Sequence, residues 1–467
     1  MRFNRLFFVA LFAVLLAARL CHVGILWAEE TLPLASAAQI LRGQMLYRDI
    51  WFDKPPLVAA PYLLWARDGW PLRLAGALYV VLTCWLAYRL ARSLWSAREA
   101  YWAAALLGFF LTFDFPSAVM PLASDLLLVA PHLAAVWLVW TRRSFWSGVV
   151  LGVGFLISPK ALLIAAVCVL WNPAGLLALT AGFAAVNGVA LLALAVAGAW
   201  PGYWDEVWRW GSLYAAAPLG EDPFRNGLIR TLGWAGFHLA PLVAAVWFFS
   251  RRPSEEKGPS PLQWAIWCGI GVAGVIAGWR FFPRYYFLLL PLLTIAAARG
   301  FTRLGRKSVW IALLLVIPLA RFGPRYLWLA SGHTDWGDIA MDRDSRLAAE
   351  LVRFAAHPGD TLFVWGFRPE LYIYTGLPAA TRFLDSQPLT GVPADRHLTE
   401  STPMETAGPR EHRAELARSA PTFIVDGLSL YNPQLSIANY PELRDWFAHY
   451  HAVSRSGQSV VYRRRTP

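Results

Sequence analysis

The stretch that decides the fold is residues 145–172, FWSGVVLGVGFLISPKALLIAAVCVLWN. A membrane-spanning helix needs about 20 mostly apolar residues, so this run is long enough for one span. Its middle carries Ser158, Pro159 and Lys160, and proline ends or kinks a helix. The run is therefore either one interrupted span or two short helices, and the charges around it have to decide.

Nine further apolar runs are candidate membrane helices, several of them short and tilted. The first begins after Arg2 and Arg5, as a signal peptide does, but no small-residue cleavage site follows it, so we expect it to be retained. The nine runs are 6–26, 72–91, 99–113, 121–140, 174–200, 228–249, 262–279, 284–299 and 308–322.

Basic residues lie in short clusters between the apolar runs. If 145–172 forms two helices, the main clusters share one side, which the positive-inside rule makes cytoplasmic; a single span would move Arg251 and everything after it to the other side. The sequence therefore predicts eleven spans. The clusters are Arg2/Arg5, Arg89/Arg92/Arg98, Arg142/Arg143, Arg251/Arg252/Lys257 and Arg299/Arg303/Arg306/Lys307.

The composition agrees with a membrane protein. Apolar residues make up 57% of the 467 residues and charged residues only 15%, which is more apolar surface than one soluble core needs. The net charge of +12 is spread over the clusters, which indicates topology and not a nucleic-acid partner. The four cysteines are far apart and lack C-x-x-C spacing, so neither a disulfide framework nor a zinc site is indicated.

The opposite, outer side receives the loops 27–71 and 201–227 and the C-terminus. Carboxylates concentrate there, so we expect the chemistry on this side: Glu29, Glu30, Asp49, Asp53, Asp114, Asp205, Glu206, Glu221 and Asp222.

The composition changes to a soluble pattern near residue 324. We predict a transmembrane domain over 1–323, which includes the outer loop 27–71, and an extracytoplasmic α/β domain over 324–467. In the second domain the pattern predicts helices at 342–357 and 369–375 and strands at 361–365, 421–426 and 459–462. Gly366 suits a tight turn, and Arg382 has Asp385 as a nearby candidate partner.

The first outer loop carries residues that can take part in a chemical reaction. Glu29 and Glu30 follow the first apolar run, and Lys54 comes later in the same loop. A carboxylate can act as a general base toward a sugar or lipid hydroxyl, and a lysine can hold a departing phosphate. The alternatives are that the acidic pair only begins a helix, where the dipole favours acids, and that Lys54 only anchors the loop at the headgroups.

This loop resembles that of the GT-C class of membrane glycosyltransferases, in particular the family 39-like bacterial branch of protein O-mannosyltransferases and lipid A aminoarabinose transferases. The resemblance rests on an acidic pair, a glycine-terminated helix with Gly43, then Tyr47-Arg48-Asp49 and Lys54-Pro55-Pro56-Leu57, in that order. In the family the usual pair is Asp-Glu, and its first member is the catalytic or substrate-orienting carboxylate. That role falls on Glu29 here, with Glu30 as the alternative.

Further positions resemble the family. The motif Ala123-Ser124-Asp125 implies an acid that orients the acceptor, binds a cation or supports the first carboxylate. The resemblance also implies that Lys160 lies near the donor phosphate and that Arg284-Tyr285, which follows a proline, contacts phosphate and sugar. Each has a plainer alternative: a helix-start acid capped by Ser124, a turn lysine at the membrane surface, and an aromatic interfacial anchor.

The resemblance implies a hexosyl- or pentosyltransferase that moves a sugar from a polyprenyl-phosphate donor to an envelope lipid, polysaccharide or protein at the bacterial inner membrane, without nucleic acid. Glu29 and Glu30 are the expected catalytic residues; Tyr47, Asp49, Lys54, Asp125, Lys160, Arg284 and Tyr285 are the expected substrate contacts. A Mg²⁺ or Mn²⁺ ion is a further expectation. The alternatives are a lipid-sugar flippase or transporter, which predicts inverted repeats that we do not find, and an envelope scaffold.

Overall fold

The structure is a computed structural model of the full chain. It describes residues 2–114, 120–216, 222–251, 257–333, 336–393, 398, 403 and 408–465. Glu221 of the predicted outer-face acids and Arg252 of the predicted basic clusters lie outside the described residues.

Helices dominate the chain. They are Arg2–Leu20 (α1), Ala28–Ile40 (α2), Trp70–Leu94 (α3), Ala97–Phe110 (α4), Ser124–Trp140 (α5), Ser144–Phe155 (α6), Ala161–Trp171 (α7), Leu176–Val196 (α8), Trp200–Tyr203 (α9), Trp210–Ala216 (α10), Pro223–Phe237 (α11), Leu239–Ser250 (α12), Pro261–Ile276 (α13), Leu290–Leu304 (α14), Ser308–Ala312 (α15), Val316–Ala330 (α16), Gly337–Ala355 (α17), Glu370–Thr375 (α18), Gln387–Thr390 (α19), Gly408–Leu416 (α20) and Arg444–Phe447 (α21).

The chain divides into two compact units. The first, which we call the helical unit, comprises Met1–Val23, Arg73–Ala193 and Pro218–His333. The second, the mixed unit, comprises Gly24–Leu72, Leu194–Ala217 and Thr334–Pro467. The mixed unit thus combines the loop 27–71, which the sequence assigned to the transmembrane domain, with the C-terminal residues. Which residues lie within a membrane stays a prediction.

The run 145–172 forms two short helices, as predicted. Helix α6 ends at Phe155 and α7 begins at Ala161, so Ser158, Pro159 and Lys160 occupy the break between them. The run 228–249 was predicted as one span, but it consists of α11 and α12 with a bend of 84°. Pro241 explains the break, because its missing N–H cannot bond the carbonyl of Phe237 four residues earlier.

The count of eleven spans is not confirmed. Within the described residues three helices are long and apolar enough to cross a membrane, or four if the bent pair α11–α12 is one span. The three are Trp70–Leu94, Pro173–Val196 and Leu290–Ala330. The other apolar helices, among them α5, α6, α7 and α13, have 10–17 residues and are shorter than a full span.

The mixed unit contains a four-stranded sheet, which agrees with the predicted α/β pattern. Its strands are Leu362–Trp365 (β1), Phe423–Asp426 (β2), Tyr450–Arg455 (β3) and Val460–Arg464 (β4), in the order β1-β2-β4-β3. Strands β1 and β2 are parallel, and the β2–β4 and β4–β3 pairs are antiparallel. Gly366 follows β1 with φ +121°, a conformation that L side chains rarely adopt, so the predicted tight turn is present.

Candidate functional site

The acidic pair begins α2. Trp27 has extended backbone at the N-cap, and Glu29 and Glu30 occupy the first turn, where the helix dipole favours acids. The two side chains differ in accessibility, because Glu30 is fully buried at 0% exposure whereas Glu29 is half-buried. Of the two side chains, Glu29 is therefore the more exposed, and which of the two acts in catalysis stays a prediction.

The segment before the acidic pair is held by the C-terminal part of the mixed unit. Leu26 N donates to Asp342 Oδ1 at 3.3 Å, and Arg346 Nη2 donates to Gly24 O at 2.8 Å. Arg346 also pairs with Asp342 at 3.1 Å and lies 4.0 Å from the ring centre of Tyr374. These contacts fix the position at which α2 starts.

Tyr47 organises the loop that follows α2. Its side chain is buried at 2% exposure and packs edge-on against Tyr203, with ring centres 5.2 Å apart. Its hydroxyl donates to the Lys54 carbonyl oxygen at 2.7 Å. The backbone at Tyr47 has φ +68°, a rare conformation for a residue with a side chain. Gly202 allows this loop to approach, because a Cβ at Gly202 would lie 2.0 Å from the Tyr47 carbonyl oxygen.

Asp49 closes a tight turn in the same loop. Its carboxylate accepts from Met45 N at 3.0 Å, and its own N–H donates to Met45 O at 2.8 Å. Arg48 pairs with it at 2.7 Å, and this hydrogen bond lowers the pKa of Asp49. Both side chains are partly exposed, so the pair contributes little to stability.

Lys54 lies beside two carboxylates. Its ammonium is 2.6 Å from Asp53 Oδ1, and the two side chains are 28% and 14% exposed. Asp385 is buried in the same unit, where burial and the nearby Asp53 raise the pKa of its carboxyl to about 7 while Lys54 opposes the rise. Asp385 Oδ1 accepts from Gln387 N at 2.7 Å, and Oδ2 has no hydrogen-bond partner among the described residues.

Glu206, in the helical segment Trp204–Arg209, binds the loop that contains Phe52. The Phe52 N–H donates to Glu206 Oε2 at 2.8 Å, and Arg382 forms an ion pair with Glu206 Oε1. The Arg382 carbonyl accepts from Trp51 N at 2.8 Å. Asp385 was the predicted candidate partner of Arg382. The structure instead pairs Arg382 with Glu206, whose side chain is only 3% exposed.

A cavity of about 400 Å³ lies next to these contacts within the mixed unit. Trp51 and Trp210 contribute an edge-to-face aromatic pair, with ring centres 5.5 Å apart. Arg382 and Glu206 also line the cavity, as do residues of the π-helical segment Trp204–Arg209.

Three of the predicted contacts meet in the helical unit. Lys160 Nζ is 2.8 Å from Asp125 Oδ1 and 3.5 Å from the ring centre of Tyr285. The Asp125 and Lys160 side chains are 21% and 23% exposed, so both remain accessible. Asp125 lies in the first turn of α5, as the helix-start alternative expected, but Ser124 is not the cap: Ala123 is the N-cap, and no side-chain cap bond forms.

Arg284 lies beside Tyr285 in the 3₁₀ turn Pro283–Leu288. The next residue, Tyr286, is buried at 1% exposure, stacks on Trp234 at 5.0 Å between ring centres, and shares a 2.7 Å hydrogen bond with Thr231. This buried tyrosine fixes the turn, while Arg284 itself is half-buried.

The described residues offer no cluster of ligands for the predicted divalent cation. Among the residues that the structure describes, no group of three or more His, Cys, Asp or Glu side chains is arranged to hold a metal ion. The four cysteines, all within the described part of the chain, are free.

Sequence reasoning did not find Asp342, Arg346 and Tyr374, nor the burial of Asp385. The contacts of Asp342, Arg346 and Tyr374 with one another and with Leu26 join residues up to 316 positions apart, so no local motif marks most of them. The only available signal was that Asp342 and Arg346 are spaced i, i+4 on an amphipathic helix.

Comparisons with solved structures establish the fold. The chain is similar to the crystal structure of ArnT from Cupriavidus metallidurans bound to undecaprenyl phosphate, with a TM-score of 0.60, 16% identity and 97% of each chain covered. The apo structure of the same protein gives 0.58, with 16% identity and coverage of 97% and 96%. For the archaeal oligosaccharyltransferase AglB from Archaeoglobus fulgidus, in complex with an inhibitory peptide and a dolichol-phosphate, the TM-score is 0.51, at 13% identity and coverage of 97% and 73%.

ArnT and AglB are both GT-C glycosyltransferases, so the predicted resemblance is confirmed at the level of the fold. Scans against protein-family models and against curated protein sequences find no match.

Proposed function

We propose, from the fold shared with ArnT, that this protein transfers a sugar from a polyprenyl-phosphate donor to an acceptor in the cell envelope. The observation that carries the proposal is the combination of this fold with a half-buried glutamate and a lysine in one loop region of the mixed unit. The undecaprenyl phosphate and dolichol-phosphate in the two related structures support a polyprenyl-phosphate substrate.

Glu29 is the proposed general base. Its carboxylate removes the proton of the acceptor hydroxyl, the freed oxygen forms a bond to the anomeric carbon, and the bond from that carbon to the phosphate oxygen breaks. The electron pair of the broken bond stays on the lipid phosphate, which leaves as an anion. Glu30, which is fully buried, is the alternative base and is otherwise expected to support the start of α2.

Lys54 is the proposed cation for the leaving phosphate. A positive charge placed where negative charge develops lowers the barrier, and this electrostatic contribution is usually the largest one in such sites. Because Asp53 holds the Lys54 ammonium at 2.6 Å, an arriving phosphate has to share or replace that contact. Tyr47, predicted as a substrate contact, acts through Lys54 as a positioning residue in this proposal, and Asp49 shapes the same loop.

The Asp125–Lys160–Tyr285 group is the proposed second set of substrate contacts, with Arg284 beside it. Lys160 and Arg284 can each bind phosphate oxygens, and a tyrosine ring can pack against a sugar. The accessibility of Asp125 and Lys160 supports this role over a purely structural ion pair.

The protein is proposed to lie in a bacterial-type cytoplasmic membrane, with its N-terminus cytoplasmic and the C-terminal residues outside. The basic clusters and the outer-face carboxylates of the sequence support this orientation. A requirement for Mg²⁺ or Mn²⁺ is decided by measuring transfer in EDTA and after each ion is returned.

The proposal is tested with purified protein in lipid vesicles and radiolabelled polyprenyl-phosphate sugars. We expect donor consumption by the wild-type chain and at least a hundredfold loss in Lys54→Met, which keeps the length of the side chain but not its charge. If no donor is consumed and labelled lipid still crosses the bilayer, the protein is a flippase and the transferase proposal fails.

A further inference from the structure

The cavity of the mixed unit is built by one face of a short helical segment. The helical positions Asp205, Glu206, Arg209 and Trp210 all line it, together with Trp51 and Arg382, which contact Trp210 and Glu206. Residues Trp204–Arg209 form a π-helix, a local insertion that is rare and is often found at functional sites. A volume of about 400 Å³ lies within the range of small-ligand sites.

Among the residues that the structure describes, the charges that line the cavity balance. The cations are Arg48, Arg209 and Arg382, and the anions are Asp205, Glu206 and Glu411. Burial lowers the pKa of His412, the one histidine among the described lining residues, and so favours its neutral ring. A site without excess positive charge does not favour a phosphate, whereas alternating guanidinium and carboxylate groups supply both donors and acceptors to hydroxyl groups.

The aromatic wall contains a donor that lacks an acceptor. Trp210 is only 7% exposed, and its indole N–H has no hydrogen-bond partner among the described residues. A buried donor without a partner is costly, so a ligand oxygen that reaches it gains more than it would at a solvated group. Trp51, which is only 2% exposed, packs edge-to-face beside it and adds apolar atoms to the cavity wall.

We infer that this cavity binds a neutral saccharide and that the saccharide belongs to the acceptor glycan of the transfer reaction. The inference rests on the proposed function. We favour the acceptor over the donor as the ligand of this cavity. The donor carries a phosphate, and the described residues that line the cavity have no excess positive charge to bind it. The loop from Tyr47 to Lys54 connects the cavity to the proposed phosphate contact, since Tyr47 lines the cavity and its hydroxyl bonds the Lys54 carbonyl.

The test is binding of the full-length protein, in lipid nanodiscs, to an array of neutral and anionic glycans. The variant Trp210→Phe keeps the aromatic wall and removes the N–H, and Trp204→Phe on the same segment is the matched control because Trp204 is 55% exposed and does not line the cavity. Leu213→Trp fills the cavity and leaves Trp210 intact.

We expect neutral glycans to bind the wild type and Trp204→Phe with equal affinity. Binding to Trp210→Phe should be about five- to tenfold weaker, and binding to Leu213→Trp should not be measurable. The inference is overturned if no array glycan binds, if only anionic glycans bind, or if Trp210→Phe binds as the control does. Donor consumption in the absence of acceptor is measured in parallel and separates the transferase proposal from the acceptor-site inference. A wild-type protein that consumes donor but binds no neutral glycan contradicts the acceptor-site inference and leaves the transferase proposal standing. A raised KM for donor in Trp210→Phe with glycan binding unchanged assigns the cavity to the donor sugar and defeats the acceptor assignment.

Discussion

The hydroxyl of Tyr47 donates a 2.7 Å hydrogen bond to the backbone carbonyl of Lys54. The two residues are seven positions apart, and the hydrogen bond closes the loop between them. The Tyr47 ring is buried and packs against Tyr203. The lysine proposed to meet the leaving phosphate therefore has a fixed backbone, and its ammonium is paired with Asp53.

Tyr47→Phe is expected to loosen the Lys54 loop without emptying the core. The ring stays in place, and the lost hydrogen bond costs about 1 kcal/mol of stability. Because only Lys54 is displaced, the KM for donor is expected to rise while the thermal midpoint changes by a few degrees at most. An unchanged KM would show that the hydroxyl does not position Lys54.

Arg382→Met is expected to destabilise the mixed unit strongly. It leaves the carboxylate of Glu206, only 3% exposed, without its cation, which costs about 3 kcal/mol or more. The double variant Arg382→Met/Glu206→Gln should recover most of the loss. Arg209→Met is the control, because the Arg209–Asp205 pair is separated by 4.0 Å and its side chains are 74% and 61% exposed. Thermal midpoints check this, and equal effects of Arg382→Met and Arg209→Met would contradict it.

The long-range contacts of this loop show where sequence reasoning ends. The break at Ser158–Lys160 was predictable because proline acts locally, and the strand β1 was predictable from its continuous apolar run. The pairing of Glu206 with Arg382 joins residues 176 positions apart, and no periodicity or motif specifies it. The 84° bend between α11 and α12 was missed because the run 228–249 was predicted from its hydropathy, which records length but not direction, although Pro241 is a local signal for a break.

Asp385 is expected to make stability depend on pH. Its folded pKa of about 7 exceeds the unfolded value of about 3.9, so the protonated form favours folding. This contribution is complete below about pH 4 and is lost as the pH rises through about 7. The thermal midpoint of the wild type should therefore fall between pH 5 and pH 8 by more than that of Asp385→Asn. Parallel curves for the two proteins would contradict the raised pKa.

The Asp125–Lys160 pair can be separated from a purely structural ion pair by a double-variant cycle. If Lys160 contacts substrate, Lys160→Met should reduce donor turnover on the order of 100-fold, and adding Asp125→Asn should not restore it. If the pair is only structural, the double variant removes both charges together and activity returns. Turnover of the three variants at equal folded protein distinguishes these outcomes.

The candidate site was partly predictable. Asp125, Lys160 and Tyr285 were named from separate motifs, and the structure brings them within contact distance. The same reasoning could not rank Glu29 against Glu30, because adjacent residues on a helix differ in burial only once the packing around them is known. It also predicted Tyr47 as a substrate contact; the structure shows its hydroxyl donating to the Lys54 carbonyl, and a contact with substrate stays a prediction.

The most direct measurement is the rate at which purified wild type, Glu29→Gln and Glu30→Gln release polyprenyl phosphate from a labelled polyprenyl-phosphate sugar in the presence of acceptor. The transferase account predicts release by the wild type and a loss of about 100-fold or more in Glu29→Gln at an unchanged thermal midpoint, because the amide cannot accept the acceptor proton. Glu30→Gln should instead show its main effect on stability. A wild-type protein that releases no polyprenyl phosphate from any donor, or a folded Glu29→Gln variant with full activity alongside an inactive but folded Glu30→Gln, would contradict the account.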